Sequence, residues 1–487
     1  MDNTWHSVSN SEAWHGIIDA AGLPERERAM VADLYTIYQY HIAKNLEKDR
    51  YYEGHITLAD VNLGIALPKG FSGLEIGCEW GAKCVDVLAS RSMFDGFVDM
   101  RGGDASLITQ IAADNNLIAE YKKACRDQLK YGSTFATLSK TATGAGIRFH
   151  SPMTAAARWD GVTGRIDCGL AIIDTATDES NKTHIPSVVN LYTDTHVWVI
   201  TRFDNIWQAT AYPHKMGRPL MEPLTWAATS SKPFGRSRLK ESVRRLIDGY
   251  VRTVANATIG LEFSTAPQKY LLGITDAQYD ALINDKFKQY IGAILAGTTN
   301  PETGEKPTVG QFQQGTLTPH VEMMRMLATQ FSAATGLTVT DTGVINDANP
   351  TSSDAILAQS QTLVAMASEL NNANGDSLRT IAMMAQAIAK DVKLEELTEA
   401  ERNIVAHFKN PAMPSVAVTA DAAIKIASAR ADFASTDIFL EMIGFDQADI
   451  RRIKAQEQRV RGQALLLEEF GNDNNSANMG GVPEAAG

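Results

Sequence analysis

Six basic residues crowd one stretch of the chain: Arg236, Arg238, Lys240, Arg244, Arg245 and Arg252, offset only by Glu241 and Asp248. Such a face could contact phosphates or a neighbouring subunit; the plainer alternative is a solvated helix surface. A second polar concentration is T-V-T-D-T-G-V-I-N-D-A-N-P, Thr338 to Pro350. Its length between two strong helical patterns favours a functional loop over a linker. Asp341 and Asp347 are the nearest approach to the clustered carboxylates of a metal-dependent nuclease, yet they share one loop and lack a third partner. Other chemistry finds no motif. There is no P-loop, nucleophile elbow, H-E-x-x-H or calcium loop. G-A-G-I-R-F at Gly144 lacks the third glycine of a dinucleotide fingerprint, and the histidines are scattered singly. Cys78, Cys84, Cys125 and Cys168 have no C-x-x-C spacing and read as reduced, buried thiols. No catalytic residue, metal site or cofactor is assigned.

The elements that would position these residues are mostly helical. Thr318 opens a pattern in which Pro319 occupies the first turn, Val321, Met324, Ala328 and Phe331 form one apolar stripe, and Gly336 caps the end. After the polar loop, Thr351, Ser352 or Ser353 can cap a second helix carrying Ile356, Leu363, Ala367 and Leu370 on one face. A break or kink is expected at Gly375 within N-N-A-N-G-D, before helix resumes. Methionines 323, 324, 326, 383 and 384 read as packing residues. Upstream, Pro24 begins a helix with Met30, Leu34, Ile37 and His41 on one side. A helix at 80–90 leads into a short strand, and a further helix spans about Ser106 to Tyr131. The period then changes to two between Gly146 and Ile200, with R-W-D-G-V-T-G-R-I as strand, turn and strand. A Pro-rich passage from Pro213 to Pro233 carries the chain out of this α+β unit into a helix over about 237–263, roughly 40 Å long.

Beyond that helix, Pro267 precedes a strand in P-Q-K-Y-L-L-G-I, residues 276–285 look helical, and Tyr290–Ala296 could pair with Pro307–Gln313. Arg402 to Asn410 reads as a lone strand. Three helices follow, at about 419–434, 436–443 and 446–470, and the tail from Asn472 has no periodicity and is expected to be mobile.

The composition bounds the function classes. At 487 residues, 44% apolar and 21% charged, the chain can bury a sizeable core in two to four units. A net charge of -12 disfavours a dedicated nucleic-acid binder, though not a protein that lets DNA slide past. No apolar run reaches the length of a membrane span. The start M-D-N-T-W-H-S lacks a signal peptide's basic and apolar regions.

In order and spacing, several segments together resemble the portal (head-to-tail connector) proteins of tailed double-stranded DNA bacteriophages. Y-Y-E-G-H-I-T-L at Tyr51 with L-G-I-A-L-P at Leu63 looks like that family's opening. Y-G-S-T-F-A at Tyr131 is similar to a second segment, although Lys130 stands where the family more often has an apolar residue. G-R-S-R-L at Gly235 resembles the entry to its stem helix, and N-P-T-S-S-D-A-I at Asn349 the start of its tunnel helix. V-T-A-D-A-A-I-K at Val418 resembles a helix start near its C-terminus.

The resemblance implies an α+β portal fold. Its parts would be a wing (1–232), a stem helix (233–266), a small α/β clip (267–313), a second stem helix (314–337) and a tunnel loop (338–351). A tunnel helix returning to the wing (352–410), a helical crown (411–471) and a flexible tail (472–487) would complete it. It further implies a homo-oligomeric ring, usually of twelve, at one capsid vertex of the virion, assembled in the host cytoplasm. Double-stranded DNA would pass without sequence readout; terminase, a head-completion or adaptor protein, and major capsid and scaffold proteins would be partners, with no membrane. On this view Thr338, Thr340, Thr342, Asn346 and Asn349 would exchange hydrogen bonds with passing DNA, and Asp341 and Asp347 would repel it. Arg244 and Arg245 would lie between stems or face the DNA. The competing classes are a shell-forming capsid or scaffold protein, and an enzyme with a dispersed site for which no residues can be named.

Overall fold

The computed structural model describes residues 11–57, 75–101, 105–142, 144–178, 183–203, 206–265, 269–273, 308–311, 316–344, 353–412 and 416–476, and between 274 and 307 only residues 280, 299, 304 and 306. The fold mixes helix and sheet. Helices α1 (Ser11–Ile18) and α2 (Glu25–Tyr52) come first, α2 starting directly after Pro24. Of the expected Met30–Leu34–Ile37–His41 stripe Leu34 is buried; the other buried residues are Val31, Tyr38, Asn45 and Tyr51, so the inward face is turned by about one residue. Both helices pack on a five-stranded antiparallel sheet of order β4-β5-β6-β7-β8 (Ala155–Asp160, Arg165–Asp178, Thr183–Tyr192, His196–Phe203, Ile206–Pro213). Trp14, Ile17, Leu34 and Tyr38 meet Leu170, Val189, Leu191 and Ile200 in that interface.

A larger core lies next to it. It is built on α3 (Trp80–Ala89), β1 (Phe94–Asp99), α4 (Ser106–Asp114) and α5 (Leu117–Tyr131), with a three-stranded sheet β3-β2-β9 (Gly144–His150, Ser133–Thr141, Met221–Thr225). Two expectations change here. The helix over 106–131 is two helices, divided where Asn116 takes the left-handed conformation (φ 50°). The passage from Pro213 also stays inside the unit: β9 pairs with β2, Ser133 opposite Thr225.

The chain then forms α6 (Glu241–Thr265), β10 (Lys269–Leu272), β11 (Thr308–Gln311), α7 (Thr318–Thr335) and α8 (Ser353–Lys390). β11 pairs with β10, Lys269 opposite Gln311. Both 276–285 (Asp280 apart) and Tyr290–Ala296 lie outside the described residues. Helix α8 runs unbroken through Gly375 because the two residues of the N-N-A-N-G-D run that face inward, Asn371 and Asn374, are buried and satisfied, while Asn372 and Asp376 face solvent. Asn374 Nδ2 donates to Tyr121 Oη (2.7 Å) and Gln128 Oε1 (2.9 Å), and Gln128 Nε2 donates back to Asn374 Oδ1 (2.7 Å). Ser92 Oγ donates to Asn371 Oδ1 at 2.6 Å. With every member paired, the cluster fixes the register of α8 on α5.

After a short helix α9 (Glu399–Arg402) comes β12 (Ile404–Phe408), which is not alone: it pairs antiparallel with β1, Asp99 opposite Ile404. Helix α8 touches β12, β3, β9 and β2 as well as α3 and α4, and so spans the whole larger core. Three helices end the described chain, α10 (Val416–Ala429), α11 (Asp437–Met442) and α12 (Gln447–Ser476), α12 extending the helix past Asn472 into the segment expected to be mobile. All four cysteines are unpaired and buried. No helix among the described residues is long and apolar enough to cross a membrane.

Candidate functional site

The Thr318 helix and the loop after it are set by local chemistry. Pro319 sits in the first turn of α7, and Gly336 ends it at φ 73°, its N–H donating to Ser332 O at 2.8 Å. A Cβ at Gly336 would come within 2.4 Å of Met366 Cε on α8, a flexible side-chain end that can move aside, so the positive φ is what calls for glycine. The buried face of α7 is Leu327, Ala328, Phe331 and Thr335; Val321, expected on that stripe, is exposed. Leu327 fits against Gly249 of α6, which brings the two helices together.

Trp80 is the keystone between these helices and the α2–α3 layer. Its ring lies 4.2 Å from that of Tyr250 on α6 and 4.8 Å from that of Phe331 on α7, centroid to centroid. Its Nε1 donates to Thr342 O at 3.0 Å, pinning a 3-10 turn at Thr340–Thr342.

That turn carries the described half of the expected DNA-contacting loop. Thr338 Oγ1 and N both donate to Asp341 Oδ2 (2.8 and 2.9 Å), so these two residues are spent on each other. Thr342 is buried and donates to Val339 O at 2.6 Å, which removes it from the surface. Thr340 is exposed. Asn346, Asp347 and Asn349 lie outside the described residues.

The basic run divides sharply. Arg238 precedes α6 and is buried: Nε donates to Cys84 O (2.6 Å), Nη2 to Thr335 O (2.7 Å), and the guanidinium lies over the Trp226 ring. It joins α3 to the end of α7 and is no surface cation. Arg244 donates to Leu239 O (2.8 Å) and pairs with Glu47 of α2 (3.2 Å). One turn on, Asp248 Oδ1 accepts from Tyr51 Oη at 2.7 Å, a second tie between α6 and α2. Arg245 is exposed and among the described residues pairs only with Glu241, one turn back at 2.6 Å. Arg236 and Lys240 are exposed on the rim of a cavity that faces α2.

Lys130 now has a structural role. Its ammonium pairs with Asp49 and lies 4.2 Å from the Tyr52 ring centroid, fastening α5 to α2. Gly235 explains the glycine that opens G-R-S-R-L. At φ 72° a Cβ would stand 2.3 Å from Trp226 O and 2.7 Å from Gly132 O, both backbone atoms that cannot yield. Gly235→Ala is expected to cost about 2 kcal/mol or more; a denaturation midpoint equal to that of the parent chain would refute the constraint.

Among the described residues no cluster of His, Cys, Asp or Glu could hold a metal ion. The Asn371–Asn374–Gln128 network and the lysines of α2 were not found by sequence reasoning. His41, Lys44 and Lys48 do recur at helical spacing, a signal that was present.

No family model matches the chain, and no curated protein matches it. Among solved structures, the neck of a native GTA particle computed with C12 symmetry is similar over 75% of this chain and 89% of that one, at 13% identity and a TM-score of 0.42. The neck of an empty GTA particle computed with C6 symmetry is similar over 72% and 86%, at 12% identity and a TM-score of 0.43.

Proposed function

We propose that the chain is a portal (head-to-tail connector) subunit. A closed ring of copies, about a dozen, lines a channel at one capsid vertex of a virion. Double-stranded DNA passes through it during packaging and ejection without sequence readout. Terminase docks at the segment between α6 and α7, a head-completion protein later takes that place, and capsid and scaffold proteins hold the ring. The work is mechanical, and no residue is given a catalytic role.

The observation that carries this reading is the surface of the α6–α7 pair. Its inner side packs on Trp80 through Tyr250 and Phe331, yet Leu261, Val321, Met323 and Met326 on the two helices, and Leu317 just before α7, remain exposed. Two packed helices showing that much apolar surface need another layer, and copies side by side in a ring supply it. The ordered motifs around Tyr51, Tyr131, Gly235 and Asn349 agree.

Size-exclusion chromatography with light scattering, followed by negative-stain imaging, tests it. Annular particles with a central hole are expected. A stable monomer that also never joins capsids on co-expression would overturn it. Because Arg245 is braced, among the described residues, only by its own helix, Arg245→Glu is expected to leave folding intact and impair ring assembly or packaging. A fully active ring from this variant would remove Arg245 from the subunit or DNA contact. Replacing 338–350 by Gly and Ser residues is harsher than the sequence suggests, since it also strips the 3-10 turn from Trp80.

A further inference from the structure

A cavity of about 580 Å³ opens between α2, the start of α6 and the 232–240 segment. Among the described residues six cations line it, Lys44, Lys48, Lys232, Arg236, Lys240 and Arg244, and no carboxylate does. In a chain of net charge -12 this is a pronounced local reversal. Arg244 alone of the six has an ion pair among the described residues, with Glu47. Lys44 lies over the Tyr40 ring at 3.8 Å, and Lys48 donates to Asn45 Oδ1 and Tyr131 O, both at 3.0 Å. Behind the cations the wall turns apolar, with Phe135, Phe234, Tyr38 and the alanines of β4. The volume falls in the range of small-ligand sites.

The geometry points to a binding site for a phosphate ester with a flat aromatic body, the phosphate at the cationic mouth and the ring face against Phe135 and Phe234. A single carboxylate would neutralise one charge of six. A phosphate brings up to two charges and three acceptor oxygens, matched by lysine point charges and the guanidinium of Arg236. The ligand is either a free nucleotide or the terminal nucleotide of a nucleic acid.

Lys48 supplies an independent readout. Burial, with Arg244 and Lys44 close by, pushes its ammonium down to about 8, against the opposing pull of Glu47. His41 and Lys44 on α2 and Lys240 and Arg244 beyond it also face the site; burial lowers His41 as well. A bound phosphate needs Lys48 charged, so affinity falls as pH rises through about 8.

The test is calorimetric titration of the full chain with deoxyadenosine monophosphate, inorganic phosphate and a short blunt duplex. The nucleotide is expected to bind about tenfold more tightly than inorganic phosphate. Lys48→Met, which keeps the stem, and Lys240→Glu, at the exposed rim where folding is not at stake, each weaken it by about tenfold or more. Duplex binding displaced by the nucleotide assigns the ligand to a nucleic-acid end; nucleotide binding without duplex binding assigns it to the free ester. No binding of any probe, or binding by both variants as tight as that of the parent chain, overturns the site. If the probes are silent while Lys240→Glu prevents ring formation, the cations meet a neighbour's carboxylates and the phosphate site is refuted. That outcome leaves the ring itself standing, so the two proposals fail separately.

Discussion

Trp80→Ala is expected to remove about 4 kcal/mol from the unfolding of the larger core. Trp80 is 3% exposed and is the contact through which α3, α6, α7 and the 340–342 turn meet. Truncation deletes two ring contacts, leaves Thr342 O without its donor, and opens a void among helices fixed by other neighbours. Relaxation into that void is limited because Tyr51–Asp248 and Arg244–Glu47 hold α6 in place. Trp80→Phe separates the contributions. It keeps much of the stacking but loses the Nε1 donor and part of the ring volume, so about 1–2 kcal/mol should go. Hydrogen exchange at the 340–342 amides should then rise while the rest of the core stays protected. Chemical denaturation and exchange on the three proteins decide it; a loss below about 1 kcal/mol for the alanine variant would mean that Trp80 is no keystone.

Arg238→Ala should cost about 3–4 kcal/mol, close to the tryptophan. The side chain is buried, and among the described residues its partners are backbone carbonyls and a sulfur, with no carboxylate. Removal strands Thr335 O, at the end of α7, in the interior without a donor and takes from Cys84 O the one it has beyond its own helix. Arg238→Lys retains the charge but reaches only one of the two carbonyls, because a lysine has one nitrogen where arginine has a rigid fork. It should recover less than half of the loss. A lysine variant as stable as the parent would show that charge alone matters, against the bridging role.

These two residues mark where the sequence could and could not be read. Periodicity, Pro319 and Gly336 made α7 legible, and the alternation after Gly146 exposed most of the five-stranded sheet. Arg238 was not legible as a core residue. It stands in a basic run with Arg236 and Lys240, and only the positions of Cys84 and Thr335, far away in sequence, turn it inward. Gly375 misled for the same reason: a polar run signals a break unless buried partners exist, and Gln128 and Tyr121 come from another helix. On α2 the inward stripe slipped because Met30 and Ile37 look as apolar as Val31 and Tyr38, and a sheet decides which pair is covered. The cavity mouth was half visible in His41, Lys44 and Lys48, but nothing in the sequence joins that helix to residues 232–244.

The pairing of β1 with β12 has a consequence for biosynthesis. The two strands lie about 300 residues apart. At about 5–20 residues per second of synthesis, β1 waits on the order of 15–60 s for its partner to be made. Throughout that interval its edge is open and Phe94 and Phe97 lack the cover that Phe408 and α8 later bring. Contacts this far apart are also the slowest kind to close. The nascent subunit therefore passes through a long sticky stage, and it reaches its final shape only when the last quarter of the chain returns to seal the first.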